Sequence, residues 1–138
     1  MEEVGERETT PPPAETPKVT DEARSAAEGW FAAYQRGDAA WLAGWSAAPM
    51  TAAGEIVAKD GPAVKALYKQ LLAEAPSSRT AGAVQVLTPA GIRGKLGGLP
   101  PGGEEKGMLY AVGKAGSEEF ILLLKMSSQG WRVCGIDR

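Results

Sequence analysis

The stretch EEFILLLKMSSQGWRVCGID, residues 118–137, decides the fold class of this chain. Its first half, 118–127, contains the continuous apolar run Phe120–Leu124, which is typical of a central strand covered on one face and partly on the other. Gln129-Gly130 then predicts a tight turn, and 131–137 follows as the last strand. The sequence therefore predicts that the chain ends in an antiparallel hairpin.

Working outward from this hairpin, the sequence predicts strands at 82–88 and 107–114, and a short one at 54–60. The segment 91–107 contains seven glycines and a Pro-Pro pair, which is too loose for one regular element throughout. It predicts a strand fragment over Ile92–Leu96, followed by a long flexible hairpin loop.

Two long amphipathic helices are predicted before most of these strands. The first begins at a cap on Thr20 or Asp21 and ends at Gly37, a residue free to take positive φ. The other begins at Gly61-Pro62, since proline suits the first turn of a helix. Apolar residues follow the helical period in both: Ala23, Ala26, Ala27, Trp30, Phe31 and Tyr34 in the first, and Val64, Leu67, Tyr68, Leu71, Leu72 and Ala75 in the other.

A shorter helix lies between them. Asp38 caps it, Trp41, Leu42 and Trp45 provide its apolar side chains, and Pro49 stops it. The order is thus helices first, with one short strand among them, and then three or four antiparallel strands. This order predicts the α+β class, with N-terminal helices packed on one face of a curved antiparallel sheet.

The composition excludes several kinds of site. The 138 residues include no histidine and one cysteine. A Ser-His-Asp triad, a Cys-His pair, a histidine-ligated zinc site and an intramolecular disulfide are therefore excluded. The net charge of −2 gives no general attraction to nucleic acid. We expect no metal, no cofactor and no nucleic-acid partner.

The charge is unevenly distributed along the chain. Residues 1–22 carry seven acidic residues against Arg7 and Lys18, a net charge of −5, whereas 23–138 carry a net charge of +3. The N-terminal stretch is also rich in proline and poor in large aliphatic side chains. We therefore predict a disordered, acidic, Pro-rich tail or linker over 1–20 and a folded α+β domain over 21–138.

The N-terminal sequence also bears on the compartment. It reads Met1-Glu2-Glu3, without the basic and apolar regions of a secretory signal, and no run approaches the roughly 20 apolar residues that span a bilayer. As written, the sequence predicts a cytoplasmic protein without a transmembrane segment. The acidic tail leaves an alternative open: a secreted, periplasmic or lipid-anchored protein whose signal has been removed.

These features together resemble the nuclear transport factor 2-like (NTF2-like) superfamily, whose members are also described as SnoaL-like or cystatin-type cone proteins. The resemblance covers residues 20–138, and the motifs that carry it are architectural: Arg36-Gly37-Asp38, the Trp41-Leu42 helix, Gly61-Pro62, and the closing hairpin with Gly130-Trp131-Arg132-Val133. It implies a sheet curved into a cone around a cavity, helices plugging one side, and frequent dimerisation through the open sheet face.

The resemblance also implies where catalytic residues would lie. Enzymes of the superfamily place an acid, a tyrosine or a histidine in the cavity, but Trp30 stands where the ketosteroid-isomerase branch has its tyrosine. Glu55 and Asp60 are the candidate bases, and Tyr34 is the candidate hydroxyl donor. Glu55 is an acid in an apolar pocket if its strand face is the cavity, and an ordinary edge-strand charge otherwise. Asp60 fits a helix cap better.

Aromatic residues provide the candidates for a ligand pocket. They suit a flat apolar ligand, although large aromatic side chains also fill the mouth of a small cone. The candidates are Trp30, Tyr34, Trp45, Tyr68, Tyr110 and Trp131. Cys134, which has apolar neighbours and no histidine to activate it, fits a buried structural thiol.

Two functional hypotheses follow. The first is a non-catalytic NTF2-like domain that binds a small apolar ligand or a protein partner. It would be a homodimer through the sheet face, because Leu109, Ala111, Ile121 and Leu123 leave both faces of the strands apolar. The alternative is a small isomerase, dehydratase or cyclase that uses Glu55 in an apolar cone cavity. The missing histidine and the replaced tyrosine favour the first.

Overall fold

The computed structural model describes residues 18–75 and 80–137, so that most of the predicted tail, 1–17, lies outside the described residues. The helices are α1 (Asp21–Arg36), α2 (Ala39–Gly44), α3 (Gly61–Glu74) and α4 (Pro89–Leu96). The strands are β1 (Ser46–Ala52), β2 (Glu55–Ala58), β3 (Gln85–Leu87), β4 (Met108–Ala115), β5 (Glu118–Ser127) and β6 (Gly130–Asp137). Among these described helices, none is long and apolar enough to cross a membrane.

The two long helices begin where their caps predict. Thr20 caps α1 by accepting a hydrogen bond from the Ala23 N–H at 3.1 Å, and Gly37 ends this helix in the left-handed conformation, with φ 75°. Asp60 caps α3 in the same way, accepting from the Ala63 N–H at 2.9 Å. These caps satisfy backbone groups that the first and last turns leave free.

The strands of the described chain form one curved, unclosed sheet of six, in the order β2-β1-β6-β5-β4-β3. β1 and β6 are parallel, and the other neighbouring pairs are antiparallel. The closing hairpin predicted from the sequence is confirmed as β5 and β6, with Ser127 opposite Gly130 next to the turn and Ile121 opposite Asp137 at the far end. The α+β class is confirmed as well.

The main core lies between the sheet and α1, α2 and α3. The sheet contributes alternate residues of β4 and β5 to it, among them Leu109, Phe120, Leu122 and Leu124. All of them are fully buried. Because successive side chains of a strand point to opposite faces, their neighbours in sequence face the other side of the sheet.

That other side is covered by α4 and by residues 97–107, which we call the strap. Here Ile92 of α4 packs with Met108, Tyr110 and Leu123 in a second apolar cluster. Both faces of the central strands are thus apolar, but the chain itself covers much of the second one. Dimerisation through this face stays a prediction.

α4 corrects the sequence analysis, which expected a strand fragment over Ile92–Leu96. Thr88 caps this helix by accepting from the Gly91 N–H at 3.1 Å, Pro89 lies in the first turn, and Gly97 ends it with φ 85°. A good cap, a first-turn proline and a terminal glycine outweigh the low helix propensity of the two internal glycines. Burial of Ile92 against the sheet adds a tertiary contribution.

The segment after α2 also differs from expectation. The helix ends at Gly44, five residues before Pro49, and β1 follows, passing through Pro49. Only part of the predicted strand 82–88 forms, as β3. β1 exists because β2 and β6 pair with it on either side, so it depends on partners that are distant in sequence.

Candidate functional site

Aromatic side chains fill the space between α1 and the sheet, where the resemblance implies a cavity. Trp30 stacks on Tyr34, with ring centroids 5.5 Å apart and planes 7° apart, and meets Phe120 edge-on at 5.5 Å. Tyr68 of α3 meets Trp30 edge-on at 6.2 Å. All four side chains are fully covered. Three of the predicted pocket residues, Trp30, Tyr34 and Tyr68, therefore come together as a packed core and leave no space against their rings for a ligand.

Hydrogen bonds inside this core are also satisfied. The Trp30 indole N–H donates to the Tyr68 hydroxyl at 2.9 Å, and that oxygen lies 2.6 Å from the Ser46 hydroxyl. Ser46 donates in turn to the Leu42 carbonyl oxygen at 2.7 Å, so Tyr68 is the donor to Ser46. Burial raises the pKa of Tyr68 to about 12, and the phenol stays protonated at neutral pH. This chain of donors is structural, because no buried donor in it is left for a substrate.

The candidate catalytic residues are not brought together. Glu55 is exposed on the edge strand β2, where it pairs with Ala52 of β1. Asp60 is exposed and caps α3, and the Tyr34 hydroxyl donates to a Glu118 carboxylate oxygen at 3.2 Å. The structure therefore holds both carboxylates at the surface: Glu55 is the edge-strand charge, and Asp60 the helix cap, that the sequence analysis gave as their other interpretations.

Two more predicted pocket residues, Trp45 and Trp131, lie in a surface groove. The Arg132 guanidinium stands 5.4 Å from the Trp45 ring centroid, and its Nη1 donates to the Trp131 carbonyl oxygen at 2.8 Å. Asp21 and Glu22 line the same groove of about 480 Å³. The cation–π contact engages Trp45 and Arg132 with each other, whereas Asp21 pairs with Arg24. Arg132 Nε is buried without a hydrogen-bond partner among the described residues. Trp45 is thus covered by Arg132 and does not present a free ring face to a flat ligand on that side.

Tyr110, the last predicted pocket residue, fixes the strap. Its hydroxyl accepts from the Glu104 N–H at 2.8 Å and donates to the Glu104 carbonyl oxygen at 2.6 Å. A Cβ added at Gly103 would lie 2.9 Å from that hydroxyl, so the strap backbone approaches it as closely as only glycine allows. Ion pairs of Glu105 with Arg93 and of Glu104 with Lys125 add to this attachment.

The strap and the end of the sheet form a cleft with a volume of about 630 Å³. One wall is the end of α4 and the start of the strap, and the other is the β1–β2 turn with the ends of β5 and β6. The lining is apolar or glycine apart from one acid: Ala52, Ala53, Leu96, Gly97, Gly98, Leu99, Pro100, Pro101, Ile121, Ile136 and Asp137. We call this space the strap cleft.

Asp137 is the charged side chain of the strap cleft. It is buried at 8% exposure, and one carboxylate oxygen, Oδ1, accepts from the Ala53 N–H at 2.8 Å. The other oxygen, Oδ2, is buried and has no hydrogen-bond partner among the described residues. Burial raises the pKa of Asp137, and the hydrogen bond from Ala53 offsets part of this effect. A buried acid with a perturbed pKa in a cleft is typical of a functional site.

Sequence analysis missed Asp137. The available signal was its position as the carboxylate that ends the last strand, after apolar Val133 and Ile136. That signal does not reveal burial, because strand ends are commonly exposed. The strap builds the other wall of the cleft, but its glycines predict a flexible loop.

The buried carboxyl makes stability depend on pH in a defined direction. Because the pKa of Asp137 is raised on folding, the folded state holds the proton more tightly than the unfolded state does. The stabilisation is fully present below the ordinary pKa of 3.8 and is lost as pH rises through the raised value. Each tenfold change in the acid constant corresponds to about 1.4 kcal/mol.

We therefore expect the wild-type protein to gain stability relative to Asp137→Asn when the pH falls from 7 to 4. Asparagine keeps an acceptor for the Ala53 N–H but does not titrate, and the remaining carboxyl groups cancel in the difference. Urea unfolding of both proteins at the two pH values measures this. A difference in unfolding free energy that does not change with pH would contradict the assignment of a raised pKa to Asp137.

Cys134 is a half-buried free thiol on β6, beside the second apolar cluster. Burial raises the pKa of Cys134 to about 11, while Lys125 opposes this effect. The thiol is therefore protonated at neutral pH and is a poor nucleophile. This agrees with the structural role that the sequence predicts.

The chain has an α+β architecture: a curved sheet carries a helical layer on one face, with an aromatic core between them. This architecture defines the structural class in which similar proteins are found. No protein-family model and no curated protein matches the sequence. The solved structure of an NTF2-like protein of unknown function from Pseudomonas putida KT2440 is similar, with a TM-score of 0.51 and 13% sequence identity, over 84% of this chain and 82% of that chain. This chain thus has the NTF2-like fold that the resemblance implies.

Two further solved structures show weaker similarity. One is a domain of unknown function with a cystatin-like fold from Nostoc punctiforme PCC 73102, with a TM-score of 0.49 and 12% identity over 86% of this chain and 77% of that chain. The other is an NTF2-like protein from Novosphingobium aromaticivorans, with a TM-score of 0.48 and 17% identity over 85% and 78% of the two chains. Identities this low concern the fold alone, so the function has to be argued from the site.

Proposed function

We propose that this chain is a non-catalytic binding domain that holds a small, mainly apolar ligand in the strap cleft. The observation that carries the proposal is a buried acid, Asp137, in a cleft whose other lining residues are apolar or glycine. Ligand sites are typically concave and mainly apolar, with a small number of polar groups that orient the ligand. The strap cleft matches this description, and its volume lies within the usual range of about 300–1,000 Å³.

The arrangement of the other polar groups supports binding over catalysis. Tyr68 and Ser46 are engaged with Trp30 inside the core, and the Tyr110 hydroxyl is engaged with the strap backbone. A lone carboxylate can act as a base, but proton abstraction next to a carbonyl also needs a donor that stabilises the negative charge developing on the substrate oxygen. Among the described residues that line the strap cleft, Asp137 is accompanied by no other titratable side chain.

The predicted homodimer is kept as part of the proposal. The uncovered part of the second sheet face is a groove of about 320 Å³ that includes Ile56 and Met126. These side chains are 58% and 59% exposed, respectively. A second copy that packs there would cover them without blocking the strap cleft, because the two spaces share no lining residue.

The test is a titration of the full chain with cyclohexylmethanol, a neutral apolar probe, followed by amide chemical shifts. We expect a dissociation constant on the order of 1 mM, as is usual for a ligand of about eight heavy atoms. Ile121→Trp, which fills the cleft, should abolish the shifts. Ile56→Trp, the matched control on exposed β2, should leave them unchanged. Equal binding by both variants would contradict the proposed site.

A further inference from the structure

Asp137 Oδ2 is a hydrogen-bond acceptor that the described protein leaves unused. The neighbouring Oδ1 is engaged by the Ala53 N–H, whereas Oδ2 is buried and has no hydrogen-bond partner in the part of the chain that the structure describes. A buried acceptor without a partner destabilises the folded protein, and more so when it is charged. Such a group in a ligand cleft indicates that the missing donor belongs to the ligand.

The surroundings of this oxygen determine which donor fits. Among residues 18–75 and 80–137, no lysine or arginine lines the strap cleft, and the lining residues near Asp137, Ile121 and Ile136, are apolar. This part of the chain thus contributes one acid and no base to the lining of the cleft. Electrostatic interactions are stronger in such apolar surroundings than in water. A cationic donor gains both the charge interaction and the hydrogen bond, and a charge-assisted bond is about twice as strong as a neutral one.

From this we infer that the ligand of the strap cleft is a compact apolar amine, whose ammonium group donates to Asp137 Oδ2 while its hydrocarbon part packs against Leu99, Ile121 and Ile136. The inference rests on the proposed function and adds the chemical class of the ligand. A carboxylate ligand is disfavoured because it would place like charges together, and a neutral alcohol supplies only the weaker bond.

Three matched probes test the inference at pH 7: cyclohexylmethylamine, cyclohexylmethanol and cyclohexanecarboxylate, each titrated into the full chain and followed by amide shifts. We expect the ammonium probe to bind at least 10-fold more tightly than the alcohol, and the carboxylate to bind most weakly. In Asp137→Asn, the ammonium probe should lose this advantage while the alcohol still binds. Glu74→Gln, which removes an exposed acid at the end of α3, should retain the full ratio.

The outcomes separate the inference from the function on which it rests. Equal binding of amine and alcohol, tighter binding of the carboxylate, or an unchanged ratio in Asp137→Asn would overturn the ligand class and leave the cleft as a binding site. If none of the three probes binds, the proposed function and this inference both fail. The ratio of the two dissociation constants, for the amine and for the alcohol, in the unmodified protein tests the ligand class even if Asp137→Asn does not fold.

Discussion

Replacing Trp30 by alanine is expected to lower the free energy of unfolding by about 3–5 kcal/mol, the usual cost of truncating a buried tryptophan. Trp30 is fully buried and contacts Tyr34, Tyr68 and Phe120 through its rings. Its loss also leaves the buried Tyr68 hydroxyl without the indole N–H that donates to it. Because the total free energy of unfolding of a small domain is only about 5–15 kcal/mol, this substitution removes a large fraction of it. Urea unfolding followed by circular dichroism measures it.

Trp41→Ala is the matched control for this prediction. Trp41 lies on α2 and is 56% exposed, so its truncation should change stability by well under 1 kcal/mol, as is usual at the surface. Trp30→Phe keeps an aromatic ring but removes the indole N–H, and should fall between the two. A Trp30→Ala protein as stable as Trp41→Ala would mean that the cone is open at this point, as an internal ligand cavity requires.

Replacing Tyr110 by phenylalanine is expected to cost about 1–3 kcal/mol and to loosen the strap. The change removes one hydroxyl but leaves two backbone groups of Glu104, its N–H and its carbonyl, without their partner. Both hydrogen bonds are part-buried, and the loss of two such bonds accounts for a cost of that size. Hydrogen exchange of the Glu104 amide should become faster, because the hydroxyl that protects it is gone.

Tyr34→Phe is the control for the loss of a hydroxyl. The Tyr34 hydroxyl bonds Glu118 on the other face of the sheet, so its removal should leave the exchange of the Glu104 amide unchanged. Tyr110→Phe should also weaken cyclohexylmethanol binding, because the strap forms one wall of the cleft. An unaltered Glu104 exchange rate in Tyr110→Phe would contradict the role assigned to Tyr110.

The features of the fold that the sequence predicted well depend on local interactions. α1 and α3 begin at Thr20 and Asp60 because the capping side chains lie within three residues of the groups they bind. The five adjacent apolar residues Phe120–Leu124 are typical of a strand that is covered on both faces, and this signal is contained in the run itself. The boundaries of α1 and β5 were therefore accessible from the sequence.

The features that the sequence did not predict depend on contacts between distant segments. β1 passes through Pro49 and forms only because β2 and β6 pair with it. The predicted cone cavity is filled because Trp30 of α1 and Tyr68 of α3 meet there, 38 positions apart in sequence. Spacing along one helix identifies an apolar face but does not show whether the opposite side chains leave a space.

The candidate site also depends on contacts between distant segments, so the sequence did not predict it. Asp137 is buried because the β1–β2 turn brings the Ala53 N–H to its carboxylate, and because the strap passes over the end of the sheet. Glycines in a sequence permit such a path but do not specify it. The glycine-rich segment therefore predicted a loose loop, whereas the structure uses it as a helix and a cleft wall.

The measurement that tests the central claim most directly is a set of nuclear Overhauser contacts from bound cyclohexylmethanol to the methyl groups of the protein. If the ligand space of this NTF2-like fold lies in the strap cleft, the contacts should reach Leu99 and Ile121, which line that cleft and lie outside the main core. Contacts to Leu42, Leu122 and Leu124, which lie in the main core, would place the ligand inside the cone and contradict the account.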